Sequence, residues 1–183
     1  MRIRALAGAT GVGALVWALV VRGSLALDLG IGRRYRPLGP IAIRIVAPRD
    51  VVFDVVSGPY QQGAPRALRA KVDVLERGEG FVLAAHHTRA YGLTATTLET
   101  VRFEPPERVH FRLVRGPVPH VVETFALTEV GDETKLEYSG ELGTDLWVLG
   151  RLWGAAVART WEETVAASLE GVRTEAERRA SRS

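Results

Sequence analysis

The stretch DLWVLGRLWGAAVARTWEETVAASLEGVRTEAER, from Asp145 to Arg178, contains no proline and reads as one continuous helix of roughly nine turns. Leu146, Leu149, Trp153, Val157, Trp161, Thr164, Ser168 and Val172 recur at steps of three and four and so share a face. Arg151, Arg159, Glu162, Glu163 and Glu170 lie off it. A helix striped in this way needs a partner surface, and the chain before it supplies one. Ile41, Ile43 and Ile45 alternate as a first strand, Pro48 stops it at the start of a short helix over Arg49–Val56, and Gly58-Pro59 breaks that helix. Tyr60 to Leu68 reads as a second short helix or a loop.

Six alternating runs follow: Arg69–Glu76, Phe81–Arg89, Leu93–Phe103, Val109–Arg115, His120–Val130 and Lys135–Leu142. Short Gly- and Pro-rich separators join them, as consecutive antiparallel hairpins require. The predicted order is strand, one or two helices, six strands, long helix. This is an α+β domain with a curved antiparallel sheet of about seven strands wrapped on the C-terminal helix. The charged end, Thr174 to Ser183, is expected to fray, with 179–183 outside the domain.

A chain of 183 residues, 46% hydrophobic and 25% charged, is enough for one domain with a core. Six of its 24 Lys and Arg residues (Arg2, Arg4, Arg22, Arg33, Arg34, Arg36) precede Pro37, where Asp28 is the only acid. From Pro37 onward 18 basic residues meet 20 acidic ones, so the folded part is near neutral and no nucleic-acid-binding face is expected. The absence of cysteine excludes disulfides, thiol nucleophiles and thiolate metal sites.

Ala5 to Val21 is a run of 17 uncharged residues, roughly 26 Å long as a helix. Residues 1–27 are expected to be a single-pass membrane anchor. Competing readings are a cleaved signal peptide, with Ser24 and Ala26 before the cut, and a soluble helix. Counting Arg22, Arg33, Arg34 and Arg36 against Arg2, Arg4 and the amino terminus slightly favours a cytoplasmic domain at the cell membrane. Those arginines serve either as topology signals alone or as contacts to anionic lipid. Residues 28–40, rich in Gly, Pro and Arg, are expected to be a linker, which leaves 41–178 as the domain.

The opening strand running into Ala47-Pro48-Arg49-Asp50-Val51-Val52-Phe53-Asp54, the turn Gly131-Asp132-Glu133-Thr134-Lys135-Leu136 and the closing helix resemble the START and polyketide cyclase/dehydratase superfamily (SRPBCC, helix-grip fold). The resemblance covers about Gly39 to Arg178. It implies a sheet curled around the last helix with a cavity between them, in a superfamily that holds lipid carriers, hormone receptors and aromatic cyclases. A membrane span is not a usual part of it.

Within such a fold, strand parity nominates the cavity side chains. Val101 and Phe103 carry Glu99, Thr97 and Ala95 to one face of the fourth strand, Leu127 carries Phe125 and Glu123 on the sixth, and Leu136 carries Tyr138 on the seventh. Glu99 and Glu123 are the two expected carboxylates, each needing a raised pKa or a cation nearby. His86, His87 and Arg102 are the nearest cations. Adjacent strand residues point oppositely, so only one histidine can join them; His87 is the one placed in the site, and neither a metal nor a cofactor is expected. His120, after a Pro-Val-Pro loop, is a candidate for the cavity mouth. Trp153 and Trp161 are expected as its apolar wall, or simply as core.

Three functions compete: a membrane-tethered domain that binds a hydrophobic small molecule or lipid, a cyclase or dehydratase using Glu99, Glu123 and a histidine, and an assembly module with a vestigial cavity. Oligomeric state is not legible.

Overall fold

The computed structural model describes residues 15, 18–20, 22, 28–64, 71–90 and 92–182. Seven strands form one antiparallel sheet: β1 (Arg34–Ile45), β2 (Val72–Gly78), β3 (Phe81–Ala90), β4 (Leu93–Glu104), β5 (Arg108–Arg115), β6 (His120–Val130) and β7 (Glu133–Thr144). Their order across the sheet is β1-β7-β6-β5-β4-β3-β2. Every step from β2 to β7 is therefore a hairpin, and only the first strand crosses over, to lie beside the last. Between β1 and β2 come helix α1 (Arg49–Ser57) and a 3-10 turn (Gly58–Tyr60), and the long helix α2 (Trp147–Ala180) closes the chain. This is the expected helix-grip architecture.

Alternation along the strands and the stripes of α1 and α2 converge on one core. Val52 and Phe53 of α1, Val101, Val109, Val121, Leu127, Leu136 and Leu142 of the strands, and Val157, Val165 and Leu169 of α2 are all buried in it. Each such side chain contributes on the order of 2 kcal/mol by leaving water. Helix α2 packs on β1, β7 and α1.

Three features differ from expectation. The first strand begins at Arg34, so most of the expected 28–40 linker is sheet. Pro37 and Pro40 fit there because β1 is an edge strand with only β7 beside it, and its register shifts between Leu38 and Ile41. Gly39 sits in that irregularity at φ +74°, where a Cβ would approach the Tyr138 carbonyl oxygen to 2.9 Å. The expected frayed tail is helix as far as Ala180, because Ala176 is buried and Glu175 pairs with Arg178 and Arg179.

The third difference is rotational. Of the stripe expected to face the sheet, Leu146, Leu149 and Ser168 are exposed, and the first turns of α2 rest instead on Gly150, Gly154 and Ala158, four residues apart. A Cβ on Gly154 would lie 3.0 Å from Thr144 Cγ2, so it is the smallness of this face that admits the helix to the sheet. Glu162, expected off the packed face, is half-buried and accepts a hydrogen bond from the Gly39 N–H at 2.9 Å.

The expected anchor, 1–27, lies outside the described residues apart from the few named above. Among the described residues, no helix is long and apolar enough to cross a membrane.

Candidate functional site

Direct cross-strand partners share a face of the sheet, so register fixes what meets on the concave side. Ala84 lies opposite Glu99, His86 opposite Thr97, Val101 opposite Phe111, Phe111 opposite Glu123, and Phe125 opposite Tyr138. The result is an aromatic belt. Ring centroids run from Tyr60 to Phe111 at 6.2 Å, Phe111 to Phe125 at 5.3 Å, and Phe125 to Tyr138 at 5.4 Å. Phe103, Phe111 and Phe125 are only half-buried although they stand on the inner face of central strands. Helix α2 packs on β1 and β7, and these rings of the central strands, packed against the core, keep partial contact with solvent.

Two carboxylates lie within this belt, Glu99 at 5% and Glu123 at 7% exposure. Glu123 Oε1 accepts from the Tyr138 hydroxyl at 2.6 Å and from Trp161 Nε1 at 2.5 Å. Its cross-strand partner is Gly140, where a Cβ would come within 2.6 Å of the Val122 carbonyl and 3.1 Å of Glu123 Cγ, so glycine is what makes room for the glutamate. Burial, and then the charge of Glu99, push the Glu123 carboxyl up to about 7 against the pull of its two donors. The Tyr138 hydroxyl is raised too, first by burial and then by the Glu123 charge, so it remains a donor.

Glu99 Oε1 accepts from Thr97 Oγ1 at 2.6 Å, and Oε2 lies 3.2 Å from His86 Nδ1. That contact falls short of an aligned hydrogen bond and becomes an ion pair when the imidazole is protonated. The other ring nitrogen, Nε2, is 2.9 Å from the Tyr60 hydroxyl, which donates to a neutral ring or accepts from a charged one. Burial works against the His86 imidazolium, but the Glu99 charge and contact, with Glu123 beyond, outweigh it, and the pKa is raised. Tyr60 is raised well above the usual phenol by burial and by both carboxylates. The site therefore holds two acids, one base and two phenols in an apolar surround, an arrangement able to donate or withdraw a proton at a bound polar atom.

Of the expected residues, Glu99, Glu123, Tyr138, Phe125 and Trp161 come together here. His87 does not. It stands opposite Thr96 on the other face, with Nδ1 3.1 Å from Thr96 Oγ1, and His86 takes its place. Trp153 donates from Nε1 to the Pro117 carbonyl at 2.8 Å and so fastens the β5–β6 loop instead. His120 faces away from the concave side, against Tyr35 and Glu141. Tyr60 escapes a reading of the sequence because the 3-10 turn that carries it has no period to follow. Thr97 stands on the face that parity predicts, but parity alone assigns it no role.

Residues 41–177 match the family model described as polyketide cyclase / dehydrase and lipid transport. No curated protein matches the chain. Among solved structures it is similar to the ZhuI aromatase/cyclase of Streptomyces sp. R1128, with TM-score 0.64 and 19% identity over 80% of this chain and 95% of that one. A protein of Thermus thermophilus follows at TM-score 0.61 and 17% identity, covering 78% and 97%. Norcoclaurine synthase from Thalictrum flavum, in complex with dopamine and hydroxybenzaldehyde, gives 0.56 and 12% identity over 78% and 87%. At these identities the structural likeness shows a shared fold, while the match over most of the chain shows kinship: this protein belongs to the polyketide cyclase / dehydrase and lipid transport family.

Proposed function

We propose that the domain binds a hydrophobic small molecule or lipid against the concave face, with the Glu99–Glu123 floor as its polar anchor. The N-terminal apolar run would tether it to a membrane, with the domain on the cytoplasmic side. One observation carries the reading: partly buried aromatic rings on the inner face surround two buried carboxylates that no arginine or lysine neutralises among the described residues. A ligand covering Phe111 and Phe125 would complete the burial, and a hydroxyl or carbonyl on it would find Glu123 or His86. The family description, which names lipid transport beside cyclisation and dehydration, agrees with that chemistry. The uncharged stretch Ala5–Val21 supports the tether.

Native mass spectrometry of the full chain in detergent tests the binding. An apolar species is expected to copurify with the protein and to be lost from Phe111→Ala with Phe125→Ala; its absence from wild-type protein, with no quenching of Trp161 by added lipids or aromatic polyketides, would sink the reading. A second reading, a cyclase- or dehydratase-type enzyme, is favoured by the Tyr60–His86–Glu99 chain, which connects a phenol, an imidazole and a carboxylate. Glu99→Gln separates the two. A carrier keeps its ligand and loses nothing else, whereas an enzyme keeps binding and loses turnover.

A further inference from the structure

The segment that follows the N-terminal run is clasped to the start of α2. Asp145 accepts hydrogen bonds from the Leu29 and Gly30 N–H groups at 2.7 and 2.9 Å and from Arg33 Nε at 2.7 Å. Arg33 also holds Asp28. In return, the N–H groups of Leu146 and Trp147 donate to the carbonyls of Ile31 and Gly32 at 2.8 and 3.1 Å. Whatever surface the first residues of α2 present is thereby fixed beside the point where residues 1–27 join the domain.

That surface is apolar and uncovered. Leu146 and Trp147 both adopt left-handed backbone, φ 67° and 46°, a conformation ordinarily left to glycine. Here it carries large side chains outward. Trp147 is 54% exposed, Val148 58%, Leu149 71% and Leu152 64%, and Leu29 and Ile31 add to them from the clasped segment. Arg34, whose partner in the sheet is Thr144, and Arg151 are exposed at the margin, while the two nearby acids, Asp28 and Asp145, are both engaged by Arg33.

An apolar knob bordered by exposed arginines, in a chain whose clasped segment is preceded in sequence by an uncharged 17-residue run, has the chemistry of a bilayer interface. A second copy of the chain is a poorer occupant, because a twofold contact would bring the same arginines against one another. We propose that this knob inserts into an anionic lipid surface, so that the domain is seated on the membrane by the first turns of α2 instead of swinging on its tether. The proposal rests on the tethering reading for its location. Helix α2 then runs from the bilayer to the site, since Trp161, which donates to Glu123, lies further along the same rod.

Because the chain has no cysteine, a single cysteine carries a single environment-sensitive label. Leu149→Cys, Leu75→Cys and Val12→Cys are each labelled in the full chain and reconstituted in phosphatidylcholine vesicles with and without phosphatidylserine. Leu149 and Leu75 project into solvent, so both substitutions spare the core, and Leu75 lies on β2 at the far edge of the sheet. The label at 149 is expected to be blue-shifted and quenched by nitroxide lipids several-fold more than the label at 75, and further with phosphatidylserine. A lipid-buried label at 12 with an aqueous label at 149 overturns the seating and leaves the tether standing. Aqueous labels at both positions overturn tether and seating together. A blue shift at 149 that follows protein concentration and ignores nitroxide lipids assigns the knob to a second copy and also overturns the proposal.

Discussion

Glu123 and Asp145 are each 7% exposed, yet Asp145 sits under a thin cover at the surface and Glu123 deep in the core, and their carboxyls are driven in opposite directions. The Arg33 hydrogen bond draws Asp145 down to about 2 against its burial, with the Leu29 and Gly30 N–H groups adding to the pull. Glu123 has two donors as well, but Tyr138 and Trp161 are neutral, and burial with Glu99 nearby raises it to about 7. Depth of burial and the charge of the partner together set each carboxylate's state: Asp145 is close to the surface and held by a cation, whereas Glu123 is deep in the core with neutral donors. At the α2 start the outcome is a clasp that holds two chain segments together. On the concave floor it is a group poised near neutrality, which a bound molecule can shift either way.

The contrast breaks first at the clasp. Asp145→Ala leaves Arg33 with the exposed Asp28 alone and frees the Leu29 and Gly30 N–H groups, so it is expected to lower unfolding stability by about 2–3 kcal/mol, read from the urea midpoint. It also removes an acid limb. A carboxyl lowered from 3.8 to about 2 contributes stability above 3.8 that is lost as pH falls through about 2. A loss below about 1 kcal/mol, the scale of an exposed ion pair, would mean that the clasp holds nothing.

Glu123 carries the opposite sign. Raised from 4.5 to about 7, it favours the fold fully below 4.5, and that contribution is lost as pH rises through about 7. Glu123→Gln keeps the Oε1 acceptor that Tyr138 and Trp161 share and removes the Glu123 share of the slope. Relative to wild type, it is expected to gain on the order of 2 kcal/mol at pH 8 and almost nothing at pH 4. A parallel offset at both pH values would show that the carboxyl titrates normally. Smaller still, Tyr138→Phe removes one of the two donors to Oε1 and is expected to cost about 1 kcal/mol at pH 8 while moving the midpoint of that slope upward.

What the sequence discloses follows the same division between regular and irregular structure. Period-two alternation runs through β4, β6 and β7, so Glu99, Glu123 and Tyr138 can be assigned to the concave face from Val101, Leu127 and Leu136. In β3 the phase is lost at Ala84-Ala85, where both residues are small and both are buried, and the choice between His86 and His87 goes with it. The α2 stripe misleads for a related reason. Its largest apolar residues form an apparent face, but the sheet admits Gly150, Gly154 and Ala158, and Leu146 and Leu149 turn outward. The β1 boundary is hidden by Pro37 and Pro40, which signal a linker unless the strand is known to lie at an edge. Tyr60 depends on a contact across 26 residues to His86, which no local pattern encodes.

The smallest expected effect tests the parity correction itself. His87 is half-buried on the outer face and touches Thr96, so His87→Ala should change stability by no more than about 0.5 kcal/mol and leave ligand retention untouched. His86→Ala is its counterpart one residue away. It deprives Glu99 of its cation and Tyr60 of its partner, and it strips from Glu123 one of the charges that restrain its rise. In the His86 variant alone, the stability that the imidazole itself loses as pH rises above 6.5 should disappear and the midpoint of the Glu123 slope should move upward. If the two alanine variants showed equal slopes, His86 would carry no charge toward the floor, and the difference between clasp and floor would reduce to Arg33 by itself.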